Sequence, residues 1–180
     1  MRGFGRYLEL TRSIHKERLM SPELMRDSQL PNAERTHRRI GLVGCVKTKA
    51  NFALSAKDLY VSPLFKGRRR FVEITCDEWW ILSALHGLVR PEDELEPYDV
   101  ALMNSSRSEK QRWSRAVLVS IDDVVDARNG DTFELHAGAD YRCYGLEDGL
   151  RARGFLIDNP TKGLRSGEQL SFYSRIDGSD

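Results

Sequence analysis

Arg39-Ile40-Gly41-Leu42-Val43-Gly44-Cys45, or RIGLVGC, is the stretch on which the fold turns. Its apolar residues follow one another almost without a break and stop at Gly44-Cys45, as a strand covered on both faces requires. Three more short runs read as strands: Trp79 to Ala84 (WWILSA), Thr132 to His136 (TFELH) and Phe155 to Ile157 (FLI). Segments of helical character separate them. Ser62-Pro63 sets an N-cap and a proline at N1 ahead of Phe65, Phe71, Val72 and Ile74. From Ser108 to Asp126, apolar residues recur at Trp113, Ala116, Val117, Val119, Ile121, Val124 and Val125. Asp140 to Arg153 reads as a helix closed by Gly154, and Ser166 to Arg175 as a last one. Strands alternating with helices predict the α/β class, with a three-layer α/β/α domain and a mostly parallel central sheet over residues 39–180.

Residues 1–38 have a different character. Phe4, Tyr7, Leu8 and Leu10 alternate with Arg2, Arg6, Arg12, Lys16 and Arg18 at a spacing that permits an amphipathic helix. Ser21-Pro22 opens a short second helix and Leu30-Pro31-Asn32 ends it. The expected organisation is an N-terminal helical extension followed by an α/β catalytic domain. The extension either packs on the core or carries basic charge towards a partner.

With 180 residues, 40% of them hydrophobic, the chain suits one domain with a modest extension. No apolar run approaches the ~20 residues that span a bilayer, so no membrane partner is expected. The N-terminus has no apolar block followed by a small-residue cleavage site, so no secretion leader is expected. Cys45, Cys76 and Cys143 lack metal-ligand spacing and are odd in number, which points to reduced thiols and a cytoplasmic location. No metal and no other cofactor is expected. A net charge of +1 excludes a globally basic nucleic-acid coat, so any contact with DNA depends on local clustering of charge.

A parallel sheet takes its ligand beyond the carboxyl ends of its strands. Three such ends are polar here: Cys45 to Lys49, Ser83 to Gly87, and His136 to Tyr141. The most distinctive segment is Ser83 to Asp99, SALHGLVRPEDELEPYD. Gly87 allows a sharp turn, and Pro97 stiffens the approach to Tyr98 and Asp99. In a catalytic reading His86 donates a proton or hydrogen bond, Tyr98 stacks on a base and Asp99 is the working carboxylate. In a plain-loop reading Asp99 makes an Asx turn and His86 has a structural partner; spacing alone slightly favours this one.

The other strand ends carry the same ambiguity. His136 and Asp140 can face one crevice with Tyr141, or His136 can pack in the core while Asp140 caps a helix. Cys45 with Lys47 and Lys49 suits a phosphate or a polar base edge, and a small structural cysteine fits the position equally. There is no G-x-x-x-x-G-K-S/T loop, so nucleoside triphosphatase chemistry is excluded. Lys66-Gly67-Arg68-Arg69-Arg70 is the densest basic run, and Arg107, Lys110, Arg112 and Arg115 add a second basic helix face. Both suit a phosphate backbone, and both also fit a solvated surface. Gly167 and Gln169 open the last helix, where backbone N–H groups favour an anion and Gln169 can read a base edge.

Together these segments resemble a bacterial family of unknown function that is distantly related to the YaaA peroxide-stress proteins and to the core domain of archaeosine synthase. Six ordered motifs carry the resemblance: Cys45 to Lys49, Asp58 to Phe65, Ser83 to Pro91, Pro97-Tyr98-Asp99, His136 to Arg142, and Pro160 to Tyr173. Leu85 stands where the family has a lysine, Phe172 where it has a tryptophan, and Thr161, Arg165 and Ser166 alter the last motif. The resemblance implies a uracil-DNA-glycosylase-like fold and work on nucleobases. The expected activity is a DNA glycosylase that removes a modified base, best matched by the glucosylated hydroxymethylcytosine of phage DNA, in antiviral defence.

In that mechanism Asp99 stabilises the sugar cation and orients water, and His86 or His136 supports the departing base. Tyr60, Tyr98 or Tyr141 stacks on the flipped base. Cys45, Ser83 and Gln169 read it, and Ser62, Asp140 and Gly167 belong to the same substrate site. Lys47, Lys49, Lys66, Arg68, Arg69 and Arg70 hold phosphates. Whether Asp99 or Asp140 is the essential carboxylate is left open by spacing. Two other functions fit the same residues: a nucleoside or deazaguanine N-glycosidase or base-exchange enzyme, and a non-catalytic nucleic-acid-binding stress protein.

Overall fold

Ile40, Leu42 and Val43 are closed to solvent because β1 (Arg39–Gly44) is the middle strand of a five-stranded sheet. The computed structural model describes residues 37–175. The helical extension expected over residues 1–38 therefore lies outside the described residues, apart from its last two positions. The strand order is β4-β3-β1-β6-β7. β3 (Glu78–Ser83) and β6 (Thr132–His136) flank β1 in parallel, and β7 (Leu156–Asp158) continues in parallel beyond β6. β4 (Gly87–Val89) returns antiparallel along β3. Val43 lies opposite both Ile81 and His136, so the carboxyl ends of β1, β3 and β6 stand in one row at the centre of the sheet.

The expected strands appear within a residue or two of their predicted limits. The segment Ser83 to Asp99, by contrast, is not all loop. It contains β4 and also β5 (Glu94–Leu95), which pairs with β2 (Leu54–Ser55) in a separate two-stranded ribbon. Strands of two or three residues are too short to display a period, so tertiary pairing decides them.

Six α-helices and a short 3-10 helix (Leu102–Asn104) complete the described residues, the α-helices being α1 (Ala56–Leu59), α2 (Pro63–Thr75), α3 (Arg107–Val124), α4 (Ala139–Arg142), α5 (Leu146–Ala152) and α6 (Ser166–Ser174). Ser62 caps α2 as expected, its hydroxyl accepting from the Phe65 N–H at 3.2 Å. Ser106 and Glu109 form a reciprocal capping box, which starts α3 one residue before the predicted Ser108. The single helix expected from Asp140 to Arg153 is instead two, parted at Gly145, whose φ of +114° lies in the left-handed region that favours glycine.

Packing explains the other glycine that matters. A Cβ on Gly41 would lie 2.8 Å from Cγ1 of Val72, so this glycine lets α2 approach β1 closely. α6 packs on α2, and α3 packs against β4 and α5. Asp131 fixes the entry to β6: its buried carboxylate accepts from the N–H groups of Arg38 at 2.9 Å and Arg128 at 2.8 Å. Burial opposes ionisation of that group, yet the two backbone bonds hold its pKa below the usual carboxylate value. Among the described residues no helix is long and apolar enough to cross a membrane.

Candidate functional site

Cys45 follows β1 directly and is 8% exposed. Three hydrogen-bonding groups converge on its sulfur. The Tyr141 hydroxyl lies at 3.0 Å, the Ala84 N–H at 3.4 Å and the Tyr98 hydroxyl at 3.6 Å. The Tyr98 hydroxyl also meets the Tyr60 hydroxyl at 2.7 Å and Ser83 Oγ at 2.8 Å. Ser83 is anchored in turn: its Oγ accepts from the His86 N–H at 3.0 Å, and its carbonyl from Trp113 Nε1 at 2.9 Å. Tyr60 follows α1, Tyr98 follows β5 and Tyr141 sits on α4, so short elements between the main strands and helices supply all three phenols.

The electrostatics keep these phenols neutral. Burial is the largest influence on Tyr60, Tyr98 and Tyr141, proximity to Cys45 adds to it, and all three pKa values are pushed well up. Each hydroxyl therefore keeps its proton and can donate it at neutral pH. His86 stands edge-on to Tyr98, with ring centroids 5.2 Å apart. Burial lowers the His86 pKa, so its imidazole is neutral at pH 7. Lys49 Nζ lies 4.0 Å from the Tyr98 ring centroid and 5.6 Å from that of Tyr60, and donates to the carbonyls of Val46 and Lys47. Burial lowers the Lys49 pKa, against the pull of Cys45 and Asp99. Asp99 is exposed, within electrostatic reach of Lys49.

The fold thus gathers Cys45, Lys49, Tyr60, Ser83, His86, Tyr98 and Tyr141 into one cluster at the strand ends, with Asp99 outside it in solvent. His136 is placed elsewhere. It has no solvent exposure; Nε2 is 2.9 Å from Glu134 Oε1 and Nδ1 is 2.7 Å from the Tyr173 hydroxyl. Strand alternation puts Glu134 and His136 on one face of β6, where the His136 ring packs on Phe71 of α2 and Tyr173 of α6. This corrects the expectation that two imidazoles share a crevice: His136 belongs to the core.

Other expected positions also move. Asp140 makes no cap bond; its carboxylate pairs with Lys110 at 2.6 Å. Lys110, expected on a basic surface, is itself 7% exposed, whereas Arg107, Arg112 and Arg115 are exposed. Gln169 accepts from Arg68 at 2.8 Å and donates to the Leu164 carbonyl at 2.9 Å, so both ends of its amide are engaged. Gly167 has open space where a Cβ would stand, and Ser62 is spent on its cap. Lys47 is exposed.

The basic run divides by helical geometry. Residues 66 and 70 share one side of α2, and residue 68 faces inward. Arg68 is 6% exposed, donating through NH1 to the Gly44 carbonyl at 3.4 Å and through NH2 to Gln169. Arg69 is occupied by Asp58 at 2.6 Å and Glu73 at 2.8 Å. This corrects the expectation that Arg68 and Arg69 hold a DNA backbone at the surface: Arg68 is buried and Arg69 is paired with carboxylates. Lys66 and Arg70 are exposed and, with Gly67, Leu170 and Tyr173, line an open groove of about 510 Å³ between α2 and α6. None of the Cys45 cluster lines that groove. Sequence reasoning also missed Trp113 and Glu134. The period of two along β6 was the available signal for pairing Glu134 with His136.

Residues 40–175 match a family model described as "Family of unknown function (DUF6884)". The uncharacterized protein YfjM of Bacillus subtilis (strain 168) is 46% identical over 46 residues, which are 25% of this chain and 31% of that protein. The chain therefore spans less than a third of that relative's length. No solved structure matches the chain.

Proposed function

The chain belongs to the family of unknown function DUF6884, and from that premise we propose that it hydrolyses the N-glycosidic bond of a modified base in DNA and leaves an abasic site. Glucosylated hydroxymethylcytosine of phage DNA is the proposed base, and defence against phage the proposed setting. One observation carries the reading: three phenols kept protonated by burial, together with Ser83, converge at the ends of the central strands. Breaking the bond leaves negative charge on the base and positive charge on the sugar. The buried hydroxyls and the neutral imidazole of His86 supply donors for the base. Asp99, at the solvent side near Lys49, supplies the carboxylate for the sugar and its water. We read the helices as covering both faces of the sheet, in the manner of uracil-DNA glycosylases; α2 and α6 packing together, and α3 with α5, support that reading.

Incubation with plain and with glucosylated phage-type DNA, followed by alkaline cleavage, tests the proposal. Strand breaks are expected in the modified DNA, and intact strands in both would sink it.

The burial of Arg68 and the pairing of Arg69 favour a second reading. With the basic run reduced, the same cluster suits free nucleosides or deazaguanines, in hydrolysis or base exchange. Lys66→Glu with Arg70→Glu separates the two. A DNA enzyme should bind more weakly and lose about two units from the slope of log affinity against log salt. An enzyme of free nucleosides should keep its kcat/KM. Retention of DNA with no product under any condition marks a non-catalytic binding protein instead.

A further inference from the structure

Three cations among the described residues are buried: Arg68, Lys110 and Arg142. Lys110 has Asp140 and Arg142 has Glu147 as a carboxylate partner. Arg68 has no carboxylate partner among the described residues. Its guanidinium is held by neutral groups, the Gly44 carbonyl, the Gln169 amide and the nearby Tyr173 hydroxyl, and its Nε is buried with no hydrogen-bond partner among the described residues. A guanidinium removed from water without a counter-charge is costly to the fold, and an anion beside it would offset that cost.

The surroundings indicate where that anion goes. Gly44 precedes Cys45, and Cys45, Tyr141 and Tyr173 are close enough to Arg68 to act on it electrostatically. Burial lowers the pKa of Arg68 despite those neighbours, the mark of a cation short of negative charge. Lys49 is also within electrostatic reach of that cysteine, lies over the Tyr98 ring at 4.0 Å and is bonded to backbone carbonyls. Asp99 can offset Lys49 from the solvent side, and the described residues offer no carboxylate to Arg68. Two cations thus have Cys45 as a common neighbour, at the centre of a group of neutral hydroxyls.

We propose that Arg68 and Lys49 form an anion-binding site beside Cys45, and that its occupant is the departing base carrying the electrons of the broken bond. The identity of the occupant rests on the glycosidase reading; the anion site itself does not. Heterolysis leaves both electrons of the carbon–nitrogen bond on the base nitrogen. Water adds to the sugar carbon and gives its proton to Asp99. The base anion takes a proton from solvent and Asp99 releases the one it received, which completes the hydrolysis with no net proton change. Arg68 lowers the barrier by meeting charge that is absent from the intact substrate.

The test is equilibrium binding of the full chain to uracil, 5-fluorouracil and 5-nitrouracil, whose ring N–H groups grow more acidic in that order, and to inorganic phosphate. Affinity is expected to rise about tenfold or more along the series, equivalent to about 1.4 kcal/mol. The rise should vanish in Arg68→Met and persist in Arg68→Lys, with circular dichroism reporting whether each variant is folded. Flat affinity along the series in the parent chain, where no variant need fold, overturns the base anion as occupant. Phosphate bound in an Arg68-dependent way, with no base bound, keeps the anion site and discards the glycosidase reading. Binding of every probe unchanged in folded Arg68→Met overturns the site.

Discussion

Asp99→Asn is expected to fold normally and to form abasic sites about 10²–10³-fold more slowly than the parent chain. The side chain is exposed and makes no hydrogen bond among the described residues, so its replacement removes charge and little else. Asparagine fills nearly the same space but offers the developing sugar cation a neutral amide. Single-turnover cleavage of modified duplex, read beside thermal melting of the same sample, separates a chemical loss from a folding one. Undiminished cleavage would remove Asp99 from the mechanism. Asp140 is a poor substitute, since Lys110 at 2.6 Å already neutralises it.

Glu134→Leu is the substitution with the largest expected effect on stability, a loss of about 3–5 kcal/mol in urea unfolding. The Glu134 side chain has no solvent exposure; one oxygen serves His136 and the other Arg39. Leucine fills the space, takes from the buried imidazole the acceptor of its Nε2, and leaves the half-exposed Arg39 with Asp158 alone at 3.6 Å. The pH dependence follows from the same contacts. Burial opposes ionisation of Glu134, but the bonds from His136 and Arg39 outweigh it and hold the carboxyl below its usual value. A depressed folded-state pKa contributes stability above the unfolded value of about 4.3 and loses it as pH falls through the folded value. The parent chain should therefore weaken steeply below about pH 4, and Glu134→Leu should show a shallower acid limb. Equal urea midpoints for the two chains at pH 7 would remove this network from the account of stability.

Much of the scaffold was legible because its signals are local. The apolar run of β1, the Ser62-Pro63 opening of α2 and the short TFELH run of β6 each identify their element within a few residues. Pairing partners do not announce themselves in the same way. β4 and β5 exist because β3 and β2 lie alongside them, and neither is long enough to show a period. Part of the site was legible for the reason that polar residues at strand ends meet: Cys45, Ser83 and Tyr141 do so. The failures were failures of direction. His136 ends the right strand but points to α2, and Arg68 lies in the densest basic run but points inward, because residue type says nothing about which side of an element faces water. Asp140 looked like a cap until α3 supplied a lysine from thirty positions away.

The Tyr98 hydroxyl carries a single proton and has three oxygen or sulfur neighbours, while one lone pair of Ser83 is already taken by the His86 N–H. If Tyr98 gives its proton to Cys45, Tyr60 and Ser83 must both turn theirs towards Tyr98; if it gives the proton to Tyr60, that rotor has to turn away. The rotors are thus geared together, and their polarity can reverse while every heavy atom stays in place. A cluster wired in this manner can present either a donor or an acceptor from the same atoms without moving its backbone.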